Sequence, residues 1–121
     1  MSKIVAAAVT VFAMSGAFAQ DPVVIVGLGA QDSSCGDWIK ARREQDRLYE
    51  LSAVVWVQGF LSGMNAGRTA DQIINLPASS VIEAILDKEC AKSPTEPLYF
   101  QSLLMYGKLQ IEQGKRPSRQ R

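Results

Sequence analysis

From residue 34 onwards, apolar residues recur with the period of an α-helix in four successive segments. The first segment, near residues 35–44, follows Ser33 and Ser34, and either serine is a suitable N-cap. Trp38 and Ile39 are its expected inward-facing residues. The mixed charges after position 41 predict a solvated face with local ion pairs. The pattern therefore predicts a short first helix with one aromatic anchor.

The second segment, roughly residues 46–65, carries two stripes of different character. Its large side chains share one face, formed by Tyr49, Ala53, Trp56, Val57, Phe60 and Met64. Mostly small side chains recur on another side, at which a second helix could approach closely: Ser52, Val55, Gly59, Ser62 and Ala66. A helix that is apolar most of the way round is predicted to be central and buried. A ligand pocket at the large stripe is the alternative, but no polar side chains converge there.

The third helix follows a connection over residues 65–77 and is predicted to begin at a capping box of Ser80 and Glu83. Its expected inner face consists of Ile82, Ile85 and Leu86. Cys90 lies one turn further on, near the end of the helix. Two prolines then prevent the helix from continuing.

The fourth helix, about residues 97–113, begins with a proline at a first-turn position. Its expected core stripe consists of Phe100, Leu103, Leu104, Gly107 and Ile111. The opposite side is also apolar and consists of Leu98, Met105 and Leu109, flanked by Tyr99 and Tyr106. Either the fold wraps this helix, or the helix presents a patch to a partner.

The two ends of the chain are predicted to lie outside the folded domain. Residues 1–19 have the organisation of a secretory signal peptide, with Lys3, an apolar stretch too short to span a bilayer, and a small-residue cleavage site ending at Ala19. We expect residues 20–33 to form an extended, flexible arm and residues 34–113 to form the helical domain. Residues 114–121, with four positive charges, are expected to be a disordered basic tail. The expected location is the periplasm.

Composition excludes several kinds of chemistry. The 121 residues include no histidine, so histidine-based catalysis and histidine metal sites are ruled out. The 13 Lys+Arg and 12 Asp+Glu nearly balance, which argues against a nucleic-acid-binding protein. No glycine-rich phosphate loop is present, and the Glu83/Asp87 pair has the spacing of solvated charges on one helix face. We therefore expect no enzymatic activity, no cofactor and no metal.

The two cysteines, Cys35 and Cys90, are the only pair available in a chain predicted to reach an oxidising compartment. A structural disulfide is the first interpretation. The alternatives are a redox pair, which usually needs a close CxxC motif, and a zinc site, which needs more ligands. The sequence thus predicts an all-α protein, a small four-helix orthogonal bundle stapled by one disulfide.

Three local patterns carry a resemblance to a known family. The segment SCGDWI at residues 34–39 opens a helix with a cysteine, and WVQGF at residues 56–60 places glycine before an aromatic residue. Residues 81–90 then form a helix that delivers the second cysteine. Together with the signal peptide, these patterns make residues 33–112 resemble the HdeA/HdeB family of small periplasmic helical proteins.

The resemblance implies a compact helical domain, held by a Cys35–Cys90 bridge, that acts as an acid-stress chaperone. Proteins of this kind leave their dimeric state at low pH, partly unfold and expose apolar surface to clients. Acidification of this chain would neutralise its 12 acidic side chains and leave strong positive self-repulsion. The candidate protein-binding residues are Trp56, Phe60, Leu98, Tyr99, Met105, Tyr106 and Leu109.

A second resemblance, through Gly59, Phe60 and Gly63, is to the Tai-type immunity proteins, which bind and block peptidoglycan amidases. Val57 and Gln58 stand where that family usually carries a cysteine. We therefore expect a periplasmic protein that acts through protein–protein binding. An HdeA-like chaperone is the first hypothesis, and an inhibitor of a cell-wall hydrolase is the alternative.

The expected partners follow from these two hypotheses. They are protein clients or one dedicated protein partner, with a homodimer as an open alternative. We expect neither nucleic-acid binding nor membrane insertion.

Overall fold

The computed structural model describes residues 33–117, which form four α-helices. In chain order these are α1 (Cys35–Glu44), α2 (Arg47–Asn65), α3 (Ser79–Lys92) and α4 (Leu98–Glu112). An isolated antiparallel bridge between Ser34 and Pro97 is the one β-type contact within residues 33–117. The predicted all-α bundle with one disulfide is confirmed. The predicted signal peptide, the arm up to residue 32 and the tail from residue 118 lie outside the described residues.

A side-chain cap begins α1, and a residue in the left-handed conformation ends it. Ser34 accepts a hydrogen bond from the backbone N–H of Asp37 at 3.3 Å, and the Asp37 carboxylate accepts one from the N–H of Ser34 at 2.8 Å. This is the reciprocal capping box that satisfies the first amides of a helix. At the other end, Gln45 adopts the left-handed conformation, with φ 57°, and Asp46 then caps α2. The turn between α1 and α2 is therefore only two residues long.

The disulfide joins the first residue of α1 to the last turn of α3, with the Cα atoms of Cys35 and Cys90 4.8 Å apart. Backbone hydrogen bonds fasten the start of α4 to the same place. The N–H of Cys35 donates to the carbonyl of Glu96 at 2.8 Å, and the N–H of Leu98 donates to the carbonyl of Ser33 at 2.9 Å. The ends of three helices thus meet at one buried bridge.

Helix α2 packs on the other three helices through one face only. Its buried residues are Glu50, Ala53, Val54, Val57 and Leu61. The predicted large stripe is only partly buried, because Tyr49, Trp56, Phe60 and Met64 lie at the edge of this face. No helix within residues 33–117 covers the small-residue side. The prediction of a helix buried most of the way round is therefore wrong.

The predicted capping box of α3 is also wrong. The helix begins at Ser79, and its N-cap, Ala78, makes no side-chain cap hydrogen bond. Glu83, the expected capping carboxylate, instead lies 3.5 Å from the guanidinium of Arg42 in α1. An ion pair between helices has replaced a local contact with the backbone. The predicted inner residues Ile82 and Leu86 are fully buried, as expected.

The predicted core face of α4 is reversed. Phe100, Leu104 and Ile111 are exposed, whereas the residues that face the core are Leu98, Gln101, Ser102, Met105, Tyr106, Leu109 and Gln110. Two polar members of this buried face, Ser102 and Gln110, have hydrogen-bond partners inside the fold. The Ser102 hydroxyl donates to the carbonyl of Leu98 at 2.8 Å, and the Gln110 amide donates to the carbonyl of Gln72 at 2.7 Å. Polar residues on this face therefore do not mark the solvent side.

The first part of the predicted disordered tail is docked on the domain. Residues 114–117 are described, and the N–H of Arg116 donates to the carbonyl of Asp71 at 2.7 Å. The Arg116 guanidinium lies 2.9 Å from the Asp71 carboxylate. The N–H of Lys115 donates to the carbonyl of Gln110 at 2.7 Å. The connection between α2 and α3 therefore supplies the partner of Arg116, and α4 supplies that of Lys115.

Candidate functional site

The seven predicted protein-binding residues do not form one surface. Leu98, Met105, Tyr106 and Leu109 lie in the core, so they cannot contact a partner while the domain stays folded. Of the two alternatives for that side of α4, the structure shows the first: α2 and α3 pack against it, so the fold wraps the helix there. Tyr99 is 42% exposed at the start of α4.

Trp56 and Phe60 form a stacked pair on α2 with ring centroids 5.3 Å apart. Both rings are half-buried at the edge of the core. Their assignment to partner binding stays a prediction.

A cluster of charged side chains connects α1, α2 and α3, and we call it the Arg42 cluster. Its members are Arg42, Glu50, Glu83 and Asp87. The Arg42 guanidinium donates to both oxygens of the Asp87 carboxylate, at 3.0 and 2.8 Å. It also lies 3.5 Å from Glu50 of α2 and 3.5 Å from Glu83 of α3. One cation thus faces three carboxylates on two neighbouring helices.

Glu50 is the buried member of this cluster. Only 2% of the residue is exposed, although it carries an acidic side chain. A buried carboxylate needs charged or hydrogen-bonding partners, and Glu50 has two arginines. Arg42 approaches it from α1, and Arg47 forms an ion pair with it from the first turn of α2. The packing of α2 on α1 therefore encloses a charge that depends on both arginines.

Trp38 links the Arg42 cluster to the core. The indole N–H donates to the Asp87 carboxylate at 2.9 Å, and the Arg42 guanidinium lies 5.5 Å from the centre of the indole ring. Since Trp38 is fully buried, the cluster sits directly on the apolar centre of the domain. The hydrogen bond that Arg42 donates to Asp87 is the main reason why the pKa of Arg42 is raised above its ordinary value.

The spacing of the charged residues in the sequence places them on helix faces that meet in this cluster, although the pattern alone predicts solvated charges. Arg42 follows Trp38 by four residues, so the two share one face of α1. Glu83 and Asp87 share one face of α3, next to the buried residues Ile82 and Leu86. The interpretation as solvated charges missed that these two faces meet.

A second surface feature is the exposed side of α2, which we call the uncharged α2 face. It consists of Leu48, Leu51, Ser52, Val55, Gly59 and Ser62. Leu48 is 78% exposed and Val55 is 64% exposed. No charged residue occurs from position 51 to position 67. Surface helices normally carry charges on their outer side, so this face is unusually apolar for its exposure.

A shallow groove of about 150 Å³ lies between α3 and α4. Met105 and Leu109 line the groove, and the Lys108 ammonium lies 3.0 Å from the Glu89 carboxylate across it. This hydrogen bond from Lys108, supported by Lys92, holds the pKa of Glu89 below its ordinary value against a weaker opposing effect of burial. The groove is therefore partly closed by its own ion pair.

Two tyrosines near the ends of α2 have pKa values raised above the ordinary value. Burial is the first cause for both Tyr49 and Tyr106. The Tyr106 hydroxyl donates to the side-chain oxygen of Asn65 at 2.8 Å, and the Asn65 amide also pairs with both backbone groups of Ile74. The contacts among Tyr106, Asn65 and Ile74 stabilise the fold at the end of α2.

Within residues 33–117, no group of three or more acidic, cysteine or histidine side chains is placed to hold a metal ion. In the same range, none of the helices combines the length and the apolar character that crossing a membrane would require.

Comparison with protein-family models, with curated proteins and with solved structures gives no match. The class of protein that the fold defines is therefore a small, disulfide-bonded, all-α domain.

Proposed function

We propose that this chain is exported to the periplasm and binds other proteins there when acid loosens its fold, in the manner of an HdeA-like acid-stress chaperone. The observation that carries the proposal is the Arg42 cluster. It joins three helices through carboxylates, which are the groups that take up protons on strong acidification. The cluster includes Glu50, which is buried and is therefore sensitive to any change in its partners.

Acid would act differently on the Arg42 cluster, which joins α1, α2 and α3, and on the disulfide, which joins α1 and α3. Strong acidification neutralises carboxylates in general, which would remove the attraction that Arg42 exerts on α2 and α3 and would leave Arg42 and Arg47 as adjacent cations. The Cys35–Cys90 bond does not respond to protons, so α1 and α3 stay joined. Helix α2 is then the element that separates most readily. Its core face, with Ala53, Val54, Val57 and Leu61, would become available to clients.

Export is supported by the signal-peptide pattern of residues 1–19 and by the disulfide. Disulfides persist in oxidising compartments such as the periplasm and are rare in the cytosol. Both cysteines of the chain take part in the bond, and both are fully buried. A buried, fully used cysteine pair supports a structural bond over a redox-active one.

The proposal is tested by light scattering from a model enzyme that aggregates on acidification. The exported chain, with its disulfide intact, is expected to suppress that aggregation at about pH 2.5. The variant Glu50→Gln removes the buried charge without changing the size of the side chain. It is expected to suppress aggregation from a higher pH than the parent.

The matched control is Glu44→Gln, which removes one carboxylate from an exposed position at the end of α1. It is expected to behave like the parent. Asp87→Asn, at a position that is less buried than Glu50, provides a second test of the cluster if Glu50→Gln fails to fold. Failure of the parent to reduce scattering at any pH would refute the chaperone function.

A further inference from the structure

We infer that residues 24–30 of this chain, in an extended conformation, lie along the half-buried side of α2 that carries its large side chains, with Leu28 against Phe60. We call that side the aromatic edge, and its members are Tyr49, Trp56, Phe60 and, at its end, Met64. Residues 24–30 precede the described part of the chain. The inference does not rest on the proposed function.

The first described residues fix the direction from which the chain enters the domain. Ser34 and Pro97 form an antiparallel bridge, and the N–H of Leu98 donates to the carbonyl of Ser33 at 2.9 Å. In an antiparallel pair, one chain followed backwards runs the way the other runs forwards. The residues before Ser33 therefore leave the bridge in the direction in which α4 proceeds.

The same direction leads along α2. Burial raises the pKa of Tyr49, and the side chain of Ser33, which lies beside the Tyr49 hydroxyl, opposes that rise. At the far end of α2, the Tyr106 hydroxyl donates to the side-chain oxygen of Asn65 at 2.8 Å. Since Tyr106 comes about two turns after Leu98, α2 and α4 run side by side in the same direction. A chain followed backwards from Ser33 thus passes from Tyr49 towards the end of α2.

The aromatic edge offers apolar surface along this path. Tyr49, Trp56 and Met64 pack against the core but are only partly buried. Phe60 stacks on Trp56 with ring centroids 5.3 Å apart and is also partly buried. Covering the rest of this surface is favourable in proportion to its apolar area.

Helix α4 forms the other wall of the path. Leu103 and Tyr99 precede Tyr106 by three and seven positions, a spacing that places all three on one side of a helix. Because Tyr106 contacts the end of α2, this side of α4 faces α2. Tyr99 is exposed and Leu103 is partly buried. An extended segment between the two helices would therefore contact apolar side chains on both.

The length of chain before the bridge fits the aromatic edge. Phe60 lies 11 positions after Tyr49, which is about 16 Å along the helix. Leu28 lies five positions before Ser33, which is also about 16 Å in an extended chain. Since Ser33 lies beside Tyr49, Leu28 reaches the level of Phe60.

The side-chain pattern gives the segment one apolar side. Alternate residues of an extended chain face the same way, and the even-numbered positions of this segment are all apolar: Val24, Val26, Leu28 and Ala30. Val26 falls about 23 Å from Ser33, level with Met64, which lies about the same distance from Tyr49. The side that carries Leu28 is therefore the side that meets the aromatic edge.

Charge and connectivity favour this occupant over a separate molecule. Neither residues 22–31 nor residues 51–67 contain a charged side chain, so docking removes no charge from water. The segment is also attached to the domain beside the edge, which gives it a high effective concentration there. A second copy of the chain has no such advantage.

Nuclear Overhauser spectra of the disulfide-bonded chain at neutral pH test the inference. Ring protons of Trp56 and Phe60 are expected to contact methyl groups of Leu28 and Val26. Leu28→Asp is expected to abolish these contacts and to shift the indole N–H signal of Trp56. The indole signal of Trp38, the other tryptophan, is expected to stay in place because that residue is fully buried in the core.

The matched control is Ile25→Asp, which places the same charge on the opposite side of the segment. It is expected to keep the ring contacts. A parent chain without any Overhauser contact between residues 24–30 and α2 would overturn the inference. So would contacts that arise only between labelled and unlabelled chains in a mixed sample, because a second copy would then cover the edge. Loss of the contacts in the control as well would overturn the assigned side.

Discussion

Individual side chains determine how the helices of this domain meet. Glu50 is buried because Arg42 and Arg47 reach it from two helices. The Asn65 amide pairs with both backbone groups of Ile74 and so holds the connection after α2 against the core. In each case a polar group inside the fold is matched by a partner from a different element, as buried polar groups require. Substitutions of single residues can therefore alter the stability of this domain specifically.

Gln45 is the clearest single position at which stability can be increased. It adopts φ 57° at the end of α1, a left-handed conformation that costs a residue with a side chain about 1 kcal/mol. Gln45→Gly is therefore expected to raise the free energy of unfolding by about 0.5–1 kcal/mol, measured by urea denaturation. Gln45→Ala is the control and is expected to give no gain. A glycine variant less stable than the parent would contradict the role of this turn.

Glu89 gives a prediction for the pH dependence of stability. Its folded-state pKa is lowered, first by the hydrogen bond from Lys108, so its contribution is present above the unfolded pKa and is lost as pH falls through the folded pKa. Lys108→Gln is expected to be less stable than the parent at about pH 6, and the difference is expected to be smaller at about pH 3. Urea denaturation at both pH values measures it.

Lys88→Gln is the control for that measurement. Lys88 lines the same groove, and within residues 33–117 it forms no ion pair. A stability difference for Lys108→Gln that persists undiminished at about pH 3 would mean that its cause is not the ionisation of Glu89.

At the scale of elements, the sequence predicted the existence and position of all four helices but not which faces are buried. Helices α1 and α3 were predicted well because Trp38, Ile82 and Leu86 stand among charged neighbours. Helix α4 is apolar on both sides, so periodicity could not decide between them. The decision comes from Tyr106 and Gln110, whose partners Asn65 and Gln72 lie far away in sequence. Contacts of that kind are not visible in one helical segment.

The orientation of α4 can be tested with two alanine substitutions. Met105 is 2% exposed, and Met105→Ala is expected to cost about 2–5 kcal/mol of the free energy of unfolding through loss of packing. Ile111→Ala, on the opposite side, is expected to change it by no more than about 0.5 kcal/mol. Thermal denaturation followed by circular dichroism distinguishes the two. The reverse order of effects would mean that the face first predicted from the sequence is the buried one.

At the scale of the whole molecule, two connections of different chemistry hold the helices together. The Cys35–Cys90 bond is covalent and insensitive to pH, whereas the Arg42 cluster is ionic. The sequence predicted the disulfide because only two cysteines exist. It could not predict the cluster, because its members come from three helices and its geometry depends on the packing of all three.

The disulfide should carry a large share of the stability at neutral pH. It closes a loop with a sequence separation of 55, for which the chain-entropy estimate is about 4 kcal/mol. The double variant Cys35→Ser, Cys90→Ser is expected to lose about that amount in urea denaturation. A loss below about 1 kcal/mol would show that non-covalent packing alone holds α1 to α3.

We propose that acid releases α2 while the disulfide keeps α1 and α3 together. Hydrogen–deuterium exchange followed by mass spectrometry tests it directly, with rates corrected for intrinsic pH dependence, at about pH 7 and about pH 2.5. We expect the amides of α2 to lose protection from exchange at the lower pH. The amides of α1 and α3 next to Cys35 and Cys90 are expected to keep most of their protection. Equal protection of α2 at both pH values, or uniform loss over all four helices, would contradict it.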